Sequence, residues 1–167
     1  MTAARVPASV RTGRPARAAL FGLVAIASFA AIGAALVSQH AYGMEPCAWC
    51  VLQRLIFLAI GLVAVVGLIW RTGSRMVGIT TLVLALSGLG AAMWQHFVAA
   101  RSASCNLTMA DRIVGATGLD GLLPDVFSAR ASCAEAAVTL LGVPYAFWSA
   151  AVFVILIMAT WRIVRMP

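Results

Sequence analysis

Two pairs of cysteines stand out in a chain that is otherwise strongly apolar. Cys47 and Cys50 form a C-x-x-C pair, and Cys105 and Cys133 lie far downstream. Cysteines in C-x-x-C pairs and at helix starts reach the reactive thiolate form readily, and such pairs move between dithiol and disulfide. Two pairs in one small chain therefore favour thiol–disulfide chemistry.

Arg54 adds a fixed positive charge to the first pair. Cys47, Cys50 and Arg54 follow i, i+3, i+7 spacing, so all three share one face of a helix. Pro46 suits the first helical position, because a proline has no N–H that would need a partner there. The open N–H groups of a helix start and a cation one turn below Cys50 both favour a thiolate. The alternative is an Arg54 that only reaches out to lipid headgroups.

The composition identifies the elements that must hold these residues. Of 167 residues, 63% are hydrophobic and 10% are charged, against about 25% charged in a soluble domain. Four apolar runs, at residues 18–37, 47–70, 76–98 and 144–163, are each near the ~20 residues that cross a ~30 Å hydrocarbon core. We therefore predict an all-α membrane protein, a four-transmembrane-helix bundle that forms one integral membrane domain over residues 1–167.

The charges predict the orientation of the bundle. All twelve of the Lys and Arg side chains are arginines, and eight of them lie before the first helix, between the second and third, or at the C-terminal end of the fourth. All five acidic residues lie in the other two connections, 38–46 and 99–143. The positive-inside rule then places both termini in the cytoplasm and all four cysteines on the periplasmic side. The net charge of +7 reflects topology and contact with the lipid bilayer, and gives little reason to expect nucleic-acid binding.

The first helix follows an arginine-rich lead, as a secretory signal does. Its apolar run, residues 18–37, is longer than the about 7–15 residues of a signal sequence, so we expect an uncleaved anchor. Cleavage near Ala41, which would leave three spans, is the alternative.

The second outer connection contains apolar residues that alternate with Asp, Gly and Arg between Ile113 and Phe127. This stretch is too apolar for a solvated loop and too interrupted to span a bilayer. It predicts a short amphipathic segment, partly helical, along the membrane surface. A compact loop packed on the helix ends is the alternative.

Three other kinds of cysteine site are conceivable. A c-type haem site would have His after Cys50, where this chain has Val51. In a zinc site made of four cysteines, the second two would also lie close together in the sequence, whereas Cys105 and Cys133 are far apart. We therefore expect no metal. Two structural disulfides would persist in an oxidising compartment. A plain disulfide does not need the start of a helix, where reactivity is tuned.

Several short motifs occur in a fixed order between residues 18 and 163. They are Gln39-His40, Cys47-Ala48-Trp49-Cys50-Val51-Leu52-Gln53-Arg54, Leu123-Pro124-Asp125-Val126-Phe127, Cys133-Ala134-Glu135, Leu141-Gly142 and Trp148-Ser149. In order and spacing they resemble the DsbB family of membrane disulfide-generating quinone reductases.

The resemblance implies a role for each cysteine. Cys105 and Cys133 would form a loop disulfide that oxidises a soluble periplasmic thioredoxin-fold partner of the DsbA type. Cys105 would make the mixed disulfide with that partner, and Cys133 would pass the electrons to Cys47. Cys50 would then donate them to a membrane quinone, either ubiquinone or menaquinone.

The resemblance also implies residues on the quinone side. Arg54 would polarise a quinone oxygen, and His96 falls where the family has a quinone-side histidine. His40 matches by spacing too, but an ordinary interfacial histidine explains it equally well.

The predicted function is therefore a disulfide-generating oxidoreductase of the bacterial inner membrane that reoxidises a DsbA-type protein. One alternative is a non-enzymatic tetraspan protein with structural disulfides or metal-binding cysteines. Another is a quinone-linked thiol enzyme of the vitamin K epoxide reductase type. In that type the loop cysteines precede the C-x-x-C pair, whereas here the C-x-x-C pair comes first.

Overall fold

The structure is a computed structural model that describes residues 8–70, 74–101 and 108–166, so Cys105 lies outside the described residues. It is a helical bundle with a small β-hairpin. In chain order the elements are α1 (Ala8–Tyr42), α2 (Ala48–Ile69), α3 (Ser74–Phe97), a 3-10 turn (Ala99–Arg101), α4 (Met109–Thr117), α5 (Leu119–Leu122), α6 (Pro124–Phe127), β1 (Thr139–Leu140), β2 (Val143–Pro144) and α7 (Tyr145–Arg165).

Within the described residues, four helices are long and apolar enough to cross a bilayer. The spans are Pro15–Tyr42, Ala48–Ile69, Arg75–Arg101 and Tyr145–Arg165. Helices α1, α2, α3 and α7 form a ring in which each contacts the next and α7 returns to α1. The prediction of an all-α, multi-pass membrane protein is confirmed. We call the end of the bundle that holds Cys47 and Cys133 the cysteine end.

The interior of the bundle is packed with aliphatic and aromatic side chains. Phe57 of α2 stacks on Phe153 of α7, with ring centroids 4.1 Å apart. Gly88 of α3 faces Phe153, and a Cβ atom there would lie 2.2 Å from the ring, so glycine lets the two helices approach closely. Large apolar side chains such as Leu23 and Met76 are exposed on the outside of the ring, as they are in proteins surrounded by lipid.

Helix α1 extends further than the sequence predicted. It ends at Tyr42 instead of residue 37, so the connection to α2 is shorter than the predicted range 38–46. Residues 38–42 contain no helix breaker, and Gly43 ends the helix with a φ of +65°, which favours glycine. The Met44 N–H then donates to the Ser38 carbonyl at 3.2 Å. This tight turn holds the start of α2 close to the end of α1.

The long connection combines the two structures that the sequence left open. Thr108 caps α4 through reciprocal hydrogen bonds with Asp111. On the inner face of α4, Val114 packs with Phe127 against α2, while Met109 on the other face is exposed. The amphipathic segment is thus both helical and packed onto the bundle.

Strands β1 and β2 form a hairpin that the sequence analysis did not predict. Leu141 and Gly142 occupy the turn with φ angles of +54° and +79°, as a two-residue hairpin turn requires. Nε1 of Trp148 donates to the Leu140 carbonyl at 3.3 Å and holds the hairpin against α7. Strands of two residues are too short to show alternation in the sequence.

Candidate redox-active site

Helix α2 begins directly after the first cysteine. Cys47 is the N-cap of α2, with extended backbone angles, and the first helical residue is Ala48. The prediction that Pro46 would occupy the first helical position is therefore wrong. Cys47 is fully buried, and Cys50 lies in the first turn of the helix.

Three free thiols meet at this helix start. Sγ of Cys47 lies 3.2 Å from Sγ of Cys50. The Cys133 thiol lies close enough to Cys47 for each to shift the pKa of the other. Thiol–disulfide exchange needs such contacts, because the attacking sulfur must reach the sulfur that it attacks. Cys47 therefore lies between a cysteine of the long connection and a cysteine of the bundle interior.

Hydrogen bonds hold Cys133 beside the start of α2. The N–H groups of Arg130 and of the next residue both donate to the Pro46 carbonyl, at 2.9 and 3.3 Å. The N–H and Oγ of Ser132 then donate to the Glu135 carboxylate, each at 2.8 Å. These bonds lower the pKa of the Glu135 carboxyl. Glu135 thus stabilises the turn that presents Cys133, which gives the Cys-Ala-Glu motif a physical reason.

The thiol pKa values of Cys47 and Cys133 are shifted in opposite directions. Both residues lie outside the spanning segments. Hydrogen bonds to Cys133 and Cys50, together with burial, raise the pKa of the Cys47 thiol well above its ordinary value. The hydrogen bond from Cys47 lowers the pKa of the Cys133 thiol, although burial opposes this. Of these two thiols, Cys133 therefore carries negative charge more readily.

Cys50 lines a cavity inside the cysteine end. The cavity has a volume of about 240 Å³ and lies between the spanning helices and the hairpin. Its wall is mostly apolar, with alanines of α1 on one side and Trp148 on another. The polar side chains beside Cys50 are Gln53, Arg54 and Gln95. Such an apolar cavity with a few convergent polar groups is typical of a small-molecule site.

Arg54 is 5% exposed and points into the bundle. Its Nη1 donates to Oε1 of Gln39 at 2.8 Å and to the Val126 carbonyl at 2.9 Å, and its Nη2 donates to the Ala35 carbonyl at 3.3 Å. These acceptors are all neutral. Within the described residues, the other N–H groups of the guanidinium make no hydrogen bond. Arg54 lines the cavity, and its hydrogen-bond acceptors carry no charge. A buried cation in this setting attracts a ligand that is anionic or that gains negative charge when it accepts electrons.

Three buried glutamines surround Cys50 and Arg54, and the sequence analysis gave none of them a role. Gln39 accepts the Arg54 hydrogen bond. Nε2 of Gln95 donates to Sγ of Cys50 at 3.0 Å, and Nε2 of Gln53 donates to Oε1 of Gln95. A polar side chain within a membrane span is costly unless it is bonded, and it commonly marks a functional site. The amides at 53 and 95, inside apolar runs, were therefore a usable signal.

The other predicted residues lie elsewhere or outside the described residues. His96 packs against Phe147, with ring centroids 4.5 Å apart, and lines a separate cavity of about 120 Å³ beside the hairpin. His40 is exposed and bonds a carbonyl of its own helix at 2.9 Å. Cys105 falls in the range 102–107, which the structure does not describe. The structure thus brings Cys47, Cys50 and Cys133 together, with Arg54 next to Cys50 in the cavity wall and His96 apart from them.

Comparisons with known proteins agree with this geometry. The family model of Disulfide bond formation protein DsbB matches residues 17–163. Disulfide bond formation protein B of Aromatoleum aromaticum is 34% identical over 158 residues, which cover 87% of this chain and 94% of that protein. The protein of the same name from Ralstonia nicotianae is 33% identical, covering 83% and 87%. Disulfide bond formation protein B 1 of Pseudomonas aeruginosa is 31% identical, covering 81% and 86%. The chain belongs to the DsbB family of disulfide bond formation proteins.

Proposed function

We propose that this membrane disulfide-generating oxidoreductase reoxidises a soluble thioredoxin-fold protein of the DsbA type and passes the electrons to a membrane quinone. The observation that carries the proposal is the position of Cys47. It contacts Cys133 on one side and Cys50 on the other, and Cys50 lines a cavity beside Arg54. A continuous path of sulfur atoms therefore leads from the long connection into the bundle.

The exchange steps follow this path. A thiolate of the partner attacks Cys105 of a Cys105–Cys133 disulfide, and Cys133 leaves as a thiolate. Cys133 then attacks Cys47 of a Cys47–Cys50 disulfide, and Cys50 leaves. The partner's second thiolate then attacks the mixed disulfide and releases Cys105, and Cys105 attacks Cys133 of the Cys133–Cys47 disulfide and releases Cys47. Each of these four exchanges forms one S–S bond and breaks another, so in total two electrons move from the partner to the Cys47–Cys50 pair.

The cavity suits the head group of a quinone. A quinone supplies an acceptor for two electrons and two protons. Cys50 lies on the cavity wall, where it can deliver the electrons, and Cys47 and Cys50 release two protons as their S–S bond forms again. The free N–H groups of Arg54 would donate to an oxygen that gains negative charge. In such a poorly screened site a fixed donor stabilises charge more strongly than in water.

A second polar patch on the cavity wall supports a ligand with more than one oxygen. Ser38 Oγ and Tyr145 Oη are hydrogen-bonded at 3.1 Å, and both residues line the cavity. Either hydroxyl can turn its hydrogen toward a bound carbonyl oxygen. This pair would hold a second carbonyl oxygen of a bound quinone.

The decisive experiment mixes the purified chain with a quinone and a reduced thioredoxin-fold protein. We expect one quinol for each disulfide formed, followed by quinone absorbance and by thiol titration. The Cys133→Ala variant is the control, since it breaks the sulfur path and leaves the cavity intact. Oxidation of the protein without quinone consumption would overturn the proposal, and so would thiols that resist reduction in the manner of structural disulfides.

We also propose that the chain lies in the bacterial inner membrane with both termini cytoplasmic and the cysteine end in the periplasm. The charge distribution supports this orientation. In a cysteine-free chain, the variants Leu141→Cys and Arg75→Cys place thiols at exposed positions on opposite ends of the bundle. A membrane-impermeant maleimide should label Leu141→Cys in intact spheroplasts and Arg75→Cys after lysis. The reverse pattern would overturn the orientation.

A further inference from the structure

Two buried amides at the reactive sulfur take no part in the exchange steps. Gln53 of α2 is 3% exposed and Gln95 of α3 is 4% exposed, and both line the cavity. We propose that they form a positioning pair, in which Gln95 holds an N–H donor on the sulfur of Cys50 and Gln53 keeps that amide correctly turned. The inference rests on the proposed function and assigns further residues to the same site.

In the structure, the hydrogen bonds of the two amides turn the donor end of Gln95 toward Cys50. Nε2 of Gln53 donates to Oε1 of Gln95 and so occupies its acceptor end. The donor end, Nε2, then faces Cys50 and lies 3.0 Å from Sγ. A thiolate accepts hydrogen bonds and has no hydrogen to donate, so this direction stabilises the charged form of Cys50.

An amide suits this position better than a charged side chain. Arg54 already supplies the positive charge, and the Gln95 amide adds a donor that does not titrate near neutral pH. When Cys50 is a thiol, both amides can turn over together. Gln95 Oε1 then accepts the S–H, and Gln95 Nε2 donates to Gln53. The same pair therefore serves both protonation states of the sulfur, which a carboxylate would fail to do because it repels a thiolate.

The test isolates Cys50 as the reactive thiol in a chain with Cys47→Ser, Cys105→Ala and Cys133→Ala. The measurement is the rate of Cys50 alkylation from acid to alkaline pH, with no quinone present. The Gln95→Leu variant should react at least about tenfold more slowly at neutral pH, since a hydrogen bond to a charged group is lost. Gln95→Glu should react at least as slowly. If Gln95→Leu does not fold, Gln95→Met has a similar length, lacks the N–H, and carries the same expectation.

The proposed pair implies that Gln53 affects the reactivity of Cys50 through Gln95. Gln53→Met alone should slow the alkylation several-fold, and in the Gln95→Leu background it should have no further effect. Thr160→Val is the matched control, because Thr160 is a buried polar residue that bonds its own helix away from the cavity. Its alkylation profile should stay that of the parent chain.

The outcomes separate this inference from the proposed function. If Gln95→Leu keeps the parent profile, or if Gln53→Met slows alkylation equally in both backgrounds, the positioning pair is wrong. In otherwise unmodified chains, Gln95→Leu should lower kcat more than it changes the KM for quinone. If the wild-type chain does not reduce quinone but Gln95→Leu still slows Cys50 alkylation, the proposed function fails and the positioning pair stands.

Discussion

The two sulfur atoms of the C-x-x-C pair have different neighbours. Cys47 contacts other thiols, those of Cys50 and Cys133, and each can form a covalent bond with it. On its cavity side, Cys50 meets the amide of Gln95 and lies beside the guanidinium of Arg54. Within one helix turn, therefore, Cys47 meets thiols that can form a disulfide with it, whereas Cys50 also meets an amide and a guanidinium that cannot. Under the proposed function, covalent exchange and charge stabilisation are therefore supplied by different parts of the chain.

The largest effect should come from breaking the exchange side. Cys133→Ala removes the thiol that contacts Cys47, so oxidation of the protein partner should fall to background. Reoxidation of the Cys47–Cys50 pair by quinone should continue, because the cavity keeps its residues. The two activities are measured separately, by partner thiol titration and by quinone absorbance in a single turnover. Normal turnover of the partner by Cys133→Ala would show that exchange does not pass through this contact.

On the cavity side, replacing Arg54 should weaken the apparent affinity for quinone. Arg54→Ala removes the fixed cation, and the apparent KM for quinone should rise about tenfold or more, as expected for a lost hydrogen bond to a developing charge. Arg54→Lys should restore part of the affinity, because an ammonium lacks the planar fork of donors. The assay is a quinone titration of steady-state turnover.

Two features make the Arg54 test specific. Arg112→Ala is the matched control, since Arg112 is an exposed arginine on α4 at the same end of the bundle. Arg54 also bonds the Val126 carbonyl and so helps to dock α6; thermal unfolding in detergent therefore accompanies each titration. Wild-type quinone saturation in Arg54→Ala would limit Arg54 to a structural role.

The parts that sequence predicted well depend on local signals. The four spanning helices follow from apolar runs, whereas the roles of the cysteines, inferred from their spacing and from the family resemblance, stay predictions. Even there the helix ends differ: α1 continues to Tyr42 because residues 38–42 carry no breaker, and α2 starts at Ala48 because Cys47 takes extended angles.

The features that the sequence analysis did not predict depend on contacts between segments that are far apart along the chain. The Arg130 N–H reaches the Pro46 carbonyl and sets the position of Cys133, but the sequence has no local sign of this long-range bond. Gln95 reaches Cys50 from another helix, whereas its neighbour His96, chosen by resemblance, packs against Phe147. The side chains of adjacent residues on a helix point in directions about 100° apart. His96 therefore has different neighbours from Gln95, although the two are consecutive in the sequence.

A pH profile sharpens the comparison on the exchange side. Because the hydrogen bond from Cys47 lowers the pKa of the Cys133 thiol, Cys133 should be alkylated at lower pH than an ordinary cysteine. Cys47→Ala removes that donor, so the pKa of Cys133 should rise and its alkylation at neutral pH should slow several-fold. The measurement is quantitative mass spectrometry of the Cys133 peptide in the reduced chain. An unchanged profile in Cys47→Ala would mean that Cys47 does not lower the pKa of Cys133.

The smallest effect should appear at the second polar patch of the cavity. Tyr145→Phe removes one neutral hydroxyl, which is hydrogen-bonded to Ser38 at 3.1 Å. The KM for quinone should rise about twofold to tenfold, the range for one neutral hydrogen bond, with kcat nearly unchanged. Tyr42→Phe is the matched control, because Tyr42 is 71% exposed at the same end of the bundle and is not among the residues that line the cavity. If Tyr145→Phe lowers kcat as strongly as Gln95→Leu, then the hydroxyl acts on the reacting atoms. The division between a reactive edge at Cys50 and a binding edge at Tyr145 would have to be abandoned.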